Sequence, residues 1–153
     1  MGKTKIYVTE SDINKIPADA LMVLLFPDFP HSRPLRNLQT VIGRRAPRKY
    51  GEPCFRDNIF IFDDLKSSLN KIIYTGLVAA NNEGYQSISV STVEMINRVL
   101  QDETPQEAIE RIAEGVKDFL CEYSKKTKLE NIKFVVYNNP YLAENMSSVL
   151  DKI

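Results

Sequence analysis

The residues with the most chemical reach lie in one basic stretch. Arg33, Arg36, Arg44, Arg45, Arg48, Lys49 and Arg56 share it with a single acid, Glu52, and its centre, GRRAPRKYGEP, adds a tyrosine and flexible punctuation. Cationic side chains neutralise phosphates and an aromatic ring stacks on a base, so Arg33, Arg36, Arg44, Arg45, Arg48 and Lys49 are candidate contacts for nucleotide phosphates, RNA or single-stranded DNA. A solvated helix face and loop would carry the same pattern. His31 precedes Ser32, but sequential neighbours seldom aim side chains at one another, and no orienting acid accompanies them. Asp63 and Asp64 follow an apolar segment and read as turn residues rather than an acid and base pair. Cys54 stands near arginines that would lower its pKa if it were exposed; a partly buried thiol is the plainer reading. Neither a Walker A nor a Rossmann glycine fingerprint is present, and no residue qualifies as catalytic.

Composition narrows the partners. A chain of 153 residues has the length of one domain, 1–153, with one core. Its formal net charge of zero gives no global pull toward nucleic acid or membrane, so any electrostatic partner must be met by a local patch. Cys54 and Cys121 lie far apart and His31 is the only histidine, which leaves no ligand set for zinc; neither a metal nor a cofactor is expected. No run approaches the ~20 apolar residues that span a bilayer, and the N-terminal MGKTKIYVTE lacks the apolar stretch of a signal peptide. These features imply a reduced, cytoplasmic protein without a membrane partner. Oligomeric state is not legible.

Elements that could position such residues follow from periodicity. Strands are predicted at 5–8, 19–26, 58–62, 71–76, 87–93 and 132–137, several apolar on both faces, as in a sheet covered above and below by helices. The clearest helix opens at Thr104, an N-cap followed by Pro105, with Glu107 completing a capping box; Ile109, Ile112, Ala113, Val116 and Leu120 mark its inner face. Asn139 and Pro140 open another, with a stripe of Leu142, Met146, Val149, Leu150 and Ile153. A third is predicted from Pro34 to about Gly43. Residues 78–86 read as a turn-rich connection. The class is α/β.

In this order the segments resemble a macro domain. SDINKIPADALMVLLF is similar to that family's G-D-I-T loop and D-A-I-V-N-A-A-N strand. NKIIYTG resembles its K-x-V-I-H-T strand, GYQSISVSTV its G-x-x-S-I-A-F-P-A segment, and TPQEAIERIAEGVKDFL with NIKFVVYNNPYLAENMSSVLDKI its last two helices and the strand between them. The resemblance implies a three-layer α/β/α fold with a mixed central sheet, in a family whose members bind ADP-ribose or remove it from proteins. It carries the adenine-binding acid onto Asp12, with Ile13 beside it, and the stacking aromatic onto Tyr137. A carboxylate accepts from an exocyclic amine and a phenol offers a ring face, so both types suit the task. Asp12 also suits a second reading, as the cap of a turn or short helix.

The ribose and diphosphate end departs from the family. Phe26 takes the position of the ribose-side asparagine, and a phenyl ring can neither orient water nor bond a hydroxyl. PDFPHSRPLR replaces a glycine-rich loop, and EMINRV (94–99) falls where the second phosphate loop is expected, with Glu94 adding a charge that repels phosphate. The residues from Leu77 to Gln86 leave no room for an expected helix, which implies a shortened or rearranged sheet. The sequence therefore reads as a divergent macro-like domain. It would bind an adenine-containing nucleotide such as ADP-ribose through Asp12, Ile13, Phe26 and Tyr137, without hydrolase activity. The alternatives are an RNA or single-stranded DNA module using the basic segment 33–56, and an interaction domain with a filled pocket.

Overall fold

A computed structural model describes residues 4–24, 53–56, 59–62, 68–99, 102–123 and 125–153. Strands β1 (Lys5–Glu10), β2 (Ala20–Leu24), β3 (Pro53–Arg56), β4 (Ile59–Phe62), β5 (Ser87–Ser91) and β6 (Asn131–Val136) form a sheet in the order β1-β6-β5-β2-β4-β3. All neighbours are parallel except β3 against β4, so the sheet is mixed. The described helices are α1 (Leu69–Asn82), α2 (Val93–Val99), α3 (Pro105–Tyr123) and α4 (Pro140–Leu150).

Register explains how the layers close. Met22, Val90, Phe134 and Val8 line up across four strands, as do Ile88, Ile132 and Ile6 in the next row but one. These side chains share one sheet face and pack with Leu69, Ile72 and Ile73 of α1, Ile109, Ile112 and Phe119 of α3, and Leu142 and Met146 of α4. Each such side chain, fully buried, contributes roughly 1.5–3 kcal/mol. Val23, Ser89 and Val135 point to the opposite face and are buried too. The sheet is therefore covered on both sides, and the architecture is the three-layer, mixed-sheet α/β/α arrangement the sequence predicts.

Helix signals at the chain's second half hold in atomic detail. Glu107 N–H donates to Thr104 Oγ1 at 3.1 Å while Thr104 N–H donates to Glu107 Oε1 at 3.0 Å, closing the capping box. Asn139 Oδ1 accepts from Leu142 N at 3.0 Å, with Pro140 in the first turn.

Several expectations are corrected. Residues 71–76 are not a strand but the interior of α1, whose buried Leu69, Ile72, Ile73, Gly76, Leu77 and Ala80 recur at helical spacing. Residues 78–86 accordingly begin as helix; the turn is Glu83 and Gly84, where Gly84 takes φ +79°. The missing crossover helix is thus α1 itself, joining β4 to β5, and no rearrangement of the sheet is needed there. Residues 94–99, matched to a phosphate loop, lie within α2. The strand predicted to reach residue 93 ends at Ser91, and the helix follows two residues later. The predicted helix at 34–43, Phe26, His31, Ser32, Asp63, Asp64 and the basic positions Arg33, Arg36, Arg44, Arg45, Arg48 and Lys49 lie outside the described residues.

Candidate functional site

The site begins with strand ends. In an open parallel sheet, ligands bind beyond the carboxyl ends of the strands, where successive connections leave a crevice. Glu10 pairs with Val136 at the ends of β1 and β6, and Ser11 N–H donates to Val136 O at 2.9 Å. Asp12 and Tyr137 therefore emerge from adjacent strands at the same edge. β5 ends alongside: Ser91 pairs with Val135, and Thr92 N–H donates to Val135 O at 3.2 Å. Ser91 and Thr92 are buried at this edge.

Asp12 has a structural task. It caps a 3-10 turn, Ile13–Lys15, with Oδ1 accepting from Asn14 N at 2.8 Å and Asn14 Nδ2 at 3.0 Å. The turn-capping reading is thus correct for Oδ1. Oδ2 accepts no hydrogen bond from the described residues, which leaves an acceptor at the rim. Ile13 is 3% exposed and its turn lies against β5, so its side chain is buried and its backbone is the part a ligand could meet.

Beyond the turn, the chain crosses the second face of the sheet to begin β2 at the opposite edge. Lys133 Nζ donates to Pro17 O at 2.7 Å across the crossing. Asp19 Oδ2 accepts from Gln86 N at 2.8 Å and Ser87 N at 3.2 Å, while Asp19 N donates to Ser87 Oγ at 2.8 Å. Two tethers thus hold the loop carrying Asp12.

At the end of β6, Tyr137 is half-buried and Asn138 adopts φ +51°, a left-handed conformation that asparagine tolerates better than most side chains. This bend turns the chain into α4 and sets Tyr141, 75% exposed, on the first turn of that helix. Sequence reasoning did not single out Tyr141; its signal was an aromatic directly after a helix-opening proline, where the stripe of inward residues does not reach. It also missed Ser91 and Thr92, whose small polar side chains carry no pattern of their own. Among the described residues no group of three or more His, Cys, Asp or Glu is arranged to hold a metal ion, and no helix is long and apolar enough to cross a membrane.

The fold is that of a macro domain. The chain superposes on the macro domain of ganglioside induced differentiation associated protein 2 with a TM-score of 0.62 at 17% identity, covering 97% of this chain and 82% of that one. It superposes on the Trypanosoma brucei macrodomain with a TM-score of 0.63 at 13% identity, covering 98% of this chain and 66% of the other. No family model matches the sequence, and no curated protein does. The likeness is one of architecture, carried by packing and topology at an identity where most side chains have changed.

Proposed function

We propose that this chain binds an adenine-containing nucleotide such as ADP-ribose at the carboxyl edge of β1 and β6, and does not hydrolyse it. One observation carries the reading: Asp12 and Tyr137 leave neighbouring strands whose ends are tied by the bond from Ser11 N to Val136 O. In this arrangement Asp12 Oδ2 accepts from the exocyclic amine, the Ile13 backbone faces the base edge, and the Tyr137 ring stacks on the purine. Two features argue against hydrolysis and for a weakened diphosphate site. By the resemblance, Phe26 takes the sequence position of an asparagine that would orient water, and PDFPHSRPLR contains no glycine to let backbone approach the phosphates. The cations Arg33, Arg36, Arg44, Arg45, Arg48 and Lys49 are the sequence's substitutes for that lost contact.

Calorimetry and thermal shift with ADP-ribose, ATP and AMP test the proposal. Binding of all three, with inosine analogues weaker because they lack the amino group, is the expected outcome. A ligand at a hundred times its Kd stabilises the fold by about 2.7 kcal/mol. No heat and no shift with any of the three at millimolar concentration would remove the reading.

A further inference from the structure

The outer edge of β1 is paired with no strand among the described residues. Lys5 N donates to Glu130 O and Ser11 N to Val136 O, so the odd-numbered positions of β1 bond toward β6. By the two-residue alternation of a strand, Ile6, Val8 and Glu10 turn their N–H and C=O groups outward. Edges of this kind are ordinarily blunted by proline, a bulge, extreme shortness or charged side chains, and the charges of β1, Lys5 and Glu10, stand only at its two ends. The six residues of β1, KIYVTE, contain no proline and run in unbroken register with β6.

Apolar surface flanks this edge on both faces. Tyr7 is 42% exposed on the outer face. On the other, Ile6 lines an open groove of about 880 Å³ with Leu120, Val149, Leu150 and Ile153, the last 44% exposed.

We propose that β1 pairs antiparallel with β1 of a second copy of this chain about a two-fold axis, joining two sheets into one. The strand is complementary to itself. A two-fold axis normal to the sheet keeps each face continuous, so only residues of the same face can stand opposite one another. Centring the axis on Tyr7 sets Ile6 opposite Val8 of the partner subunit and Thr4 opposite Glu10 of the partner subunit, which engages every outward backbone group between Thr4 and Glu10. Centring it on Val8 leaves the Thr4 end unpaired. The Tyr7 rings then meet in a non-hydrogen-bonded pair, where side chains approach most closely. Lys5 faces Thr9 of the partner subunit, so no like charges oppose. Val8 of the partner subunit joins Ile6 on the side of the groove. Both strands are ordered before they meet, so pairing avoids the cost of ordering a disordered segment.

Sedimentation and light scattering on the full chain over a micromolar to millimolar series test this. The apparent mass should rise from that of the protomer to about twice that value. Tyr7→Lys, at an exposed position, places like charges opposite each other and should raise the dimer dissociation constant at least about tenfold. Val8→Pro removes an outward N–H together with part of the Val8 side chain's packing on the core, and should give a monomer whose circular dichroism remains that of the parent chain. In a Cys54→Ala, Cys121→Ser background, Tyr7→Cys should form an intermolecular disulfide under mild oxidation and Val8→Cys should not, because the facing positions fit the bond's Cα spacing. A protomer mass throughout the series, a dimer unaffected by Tyr7→Lys, or crosslinking through Val8→Cys in place of Tyr7→Cys would overturn the proposal.

Discussion

Ser11 hands its N–H to the carbonyl of Val136 at 2.9 Å, one residue before Asp12 on one strand and one residue before Tyr137 on the other. At position 12 the two carboxylate oxygens divide a structural from a ligand-directed role, Oδ1 holding the turn through Asn14 and Oδ2 facing a ligand. An asparagine at position 12 keeps an Oδ1 that can accept from Asn14 N, so the turn survives. Its Nδ2 then presents a donor where an adenine amine needs an acceptor. Asp12→Asn should keep the urea midpoint close to that of the parent chain while weakening AMP and ADP-ribose binding at least about tenfold, or about 1.4 kcal/mol. Equal binding by the two proteins would show that the carboxylate does no more than cap the turn.

Two tyrosines compete for the stacking role. Tyr137 ends β6 half-buried, while Tyr141 stands 75% exposed on the first turn of α4. Replacing a stacking aromatic by alanine costs about 1–3 kcal/mol per base. Tyr137→Ala should therefore weaken AMP binding about tenfold or more, with Tyr141→Ala changing it less than about threefold. Isothermal titrations of the two variants check the assignment, and the reverse order would move the stacking face to α4.

Legibility in the sequence followed the range of the forces involved. α3 and α4 were readable because Thr104 with Glu107 and Asn139 with Leu142 are local pairs, close in sequence as well as in space. α1 was misread because Ile72, Ile73, Tyr74 and Thr75 form a β-branched and aromatic run, the signature of a strand. The same face continues through Gly76, Leu77 and Ala80, and tertiary burial of that stripe outweighs local propensity. The loop carrying Asp12 is tethered by Lys133 to Pro17 and by Asp19 to Gln86, partners 116 and 67 residues apart, for which no local pattern exists. The nearness of Asp12 and Tyr137 was likewise implied only by resemblance to a family, since periodicity says nothing of which strands are neighbours.

Gly115 offers a prediction whose sign depends on packing. In an exposed helix, glycine to alanine gains up to about 1 kcal/mol. Here a Cβ at position 115 would lie 2.5 Å from Asn70 O and 2.9 Å from Ile73 Cβ, so α1 and α3 must separate. Overpacking of this kind costs about 1–3 kcal/mol and the backbone carbonyl cannot swing aside. Gly115→Ala should lower the urea midpoint, and a rise would mean that the helices are less closely packed than described.

The capping box of α3 predicts a dependence on acid. Hydrogen bonds from the Thr104 backbone and side chain hold the Glu107 carboxyl below its ordinary value. A carboxylate depressed in the folded state contributes stability above its unfolded pKa and loses it as pH falls through the folded one. The stability difference between the parent chain and Glu107→Gln should therefore shrink as pH is lowered below the ordinary carboxylate range. Thr104→Ala should cost about 1 kcal/mol at neutral pH. Urea titrations across the acid range read both effects.

At the alkaline end the same logic runs through Tyr74. Its hydroxyl donates to Glu122 Oε2, linking α1 to α3. That bond, aided by burial and by the Glu122 charge, pushes the phenol from 10.0 up to about 12. A raised phenol pKa favours the folded state as long as the unfolded chain holds its proton equally well, below pH 10. Between 10 and 12 the unfolded chain ionises first, so stability falls as pH rises across that window. Ultraviolet titration of the folded protein should show a phenol ionising near 12, and Glu122→Gln should return it toward 10.0. Tyr74→Phe should flatten the fall in stability over the same interval. A titration in which no tyrosine is displaced by Glu122→Gln would remove the hydrogen bond as its cause.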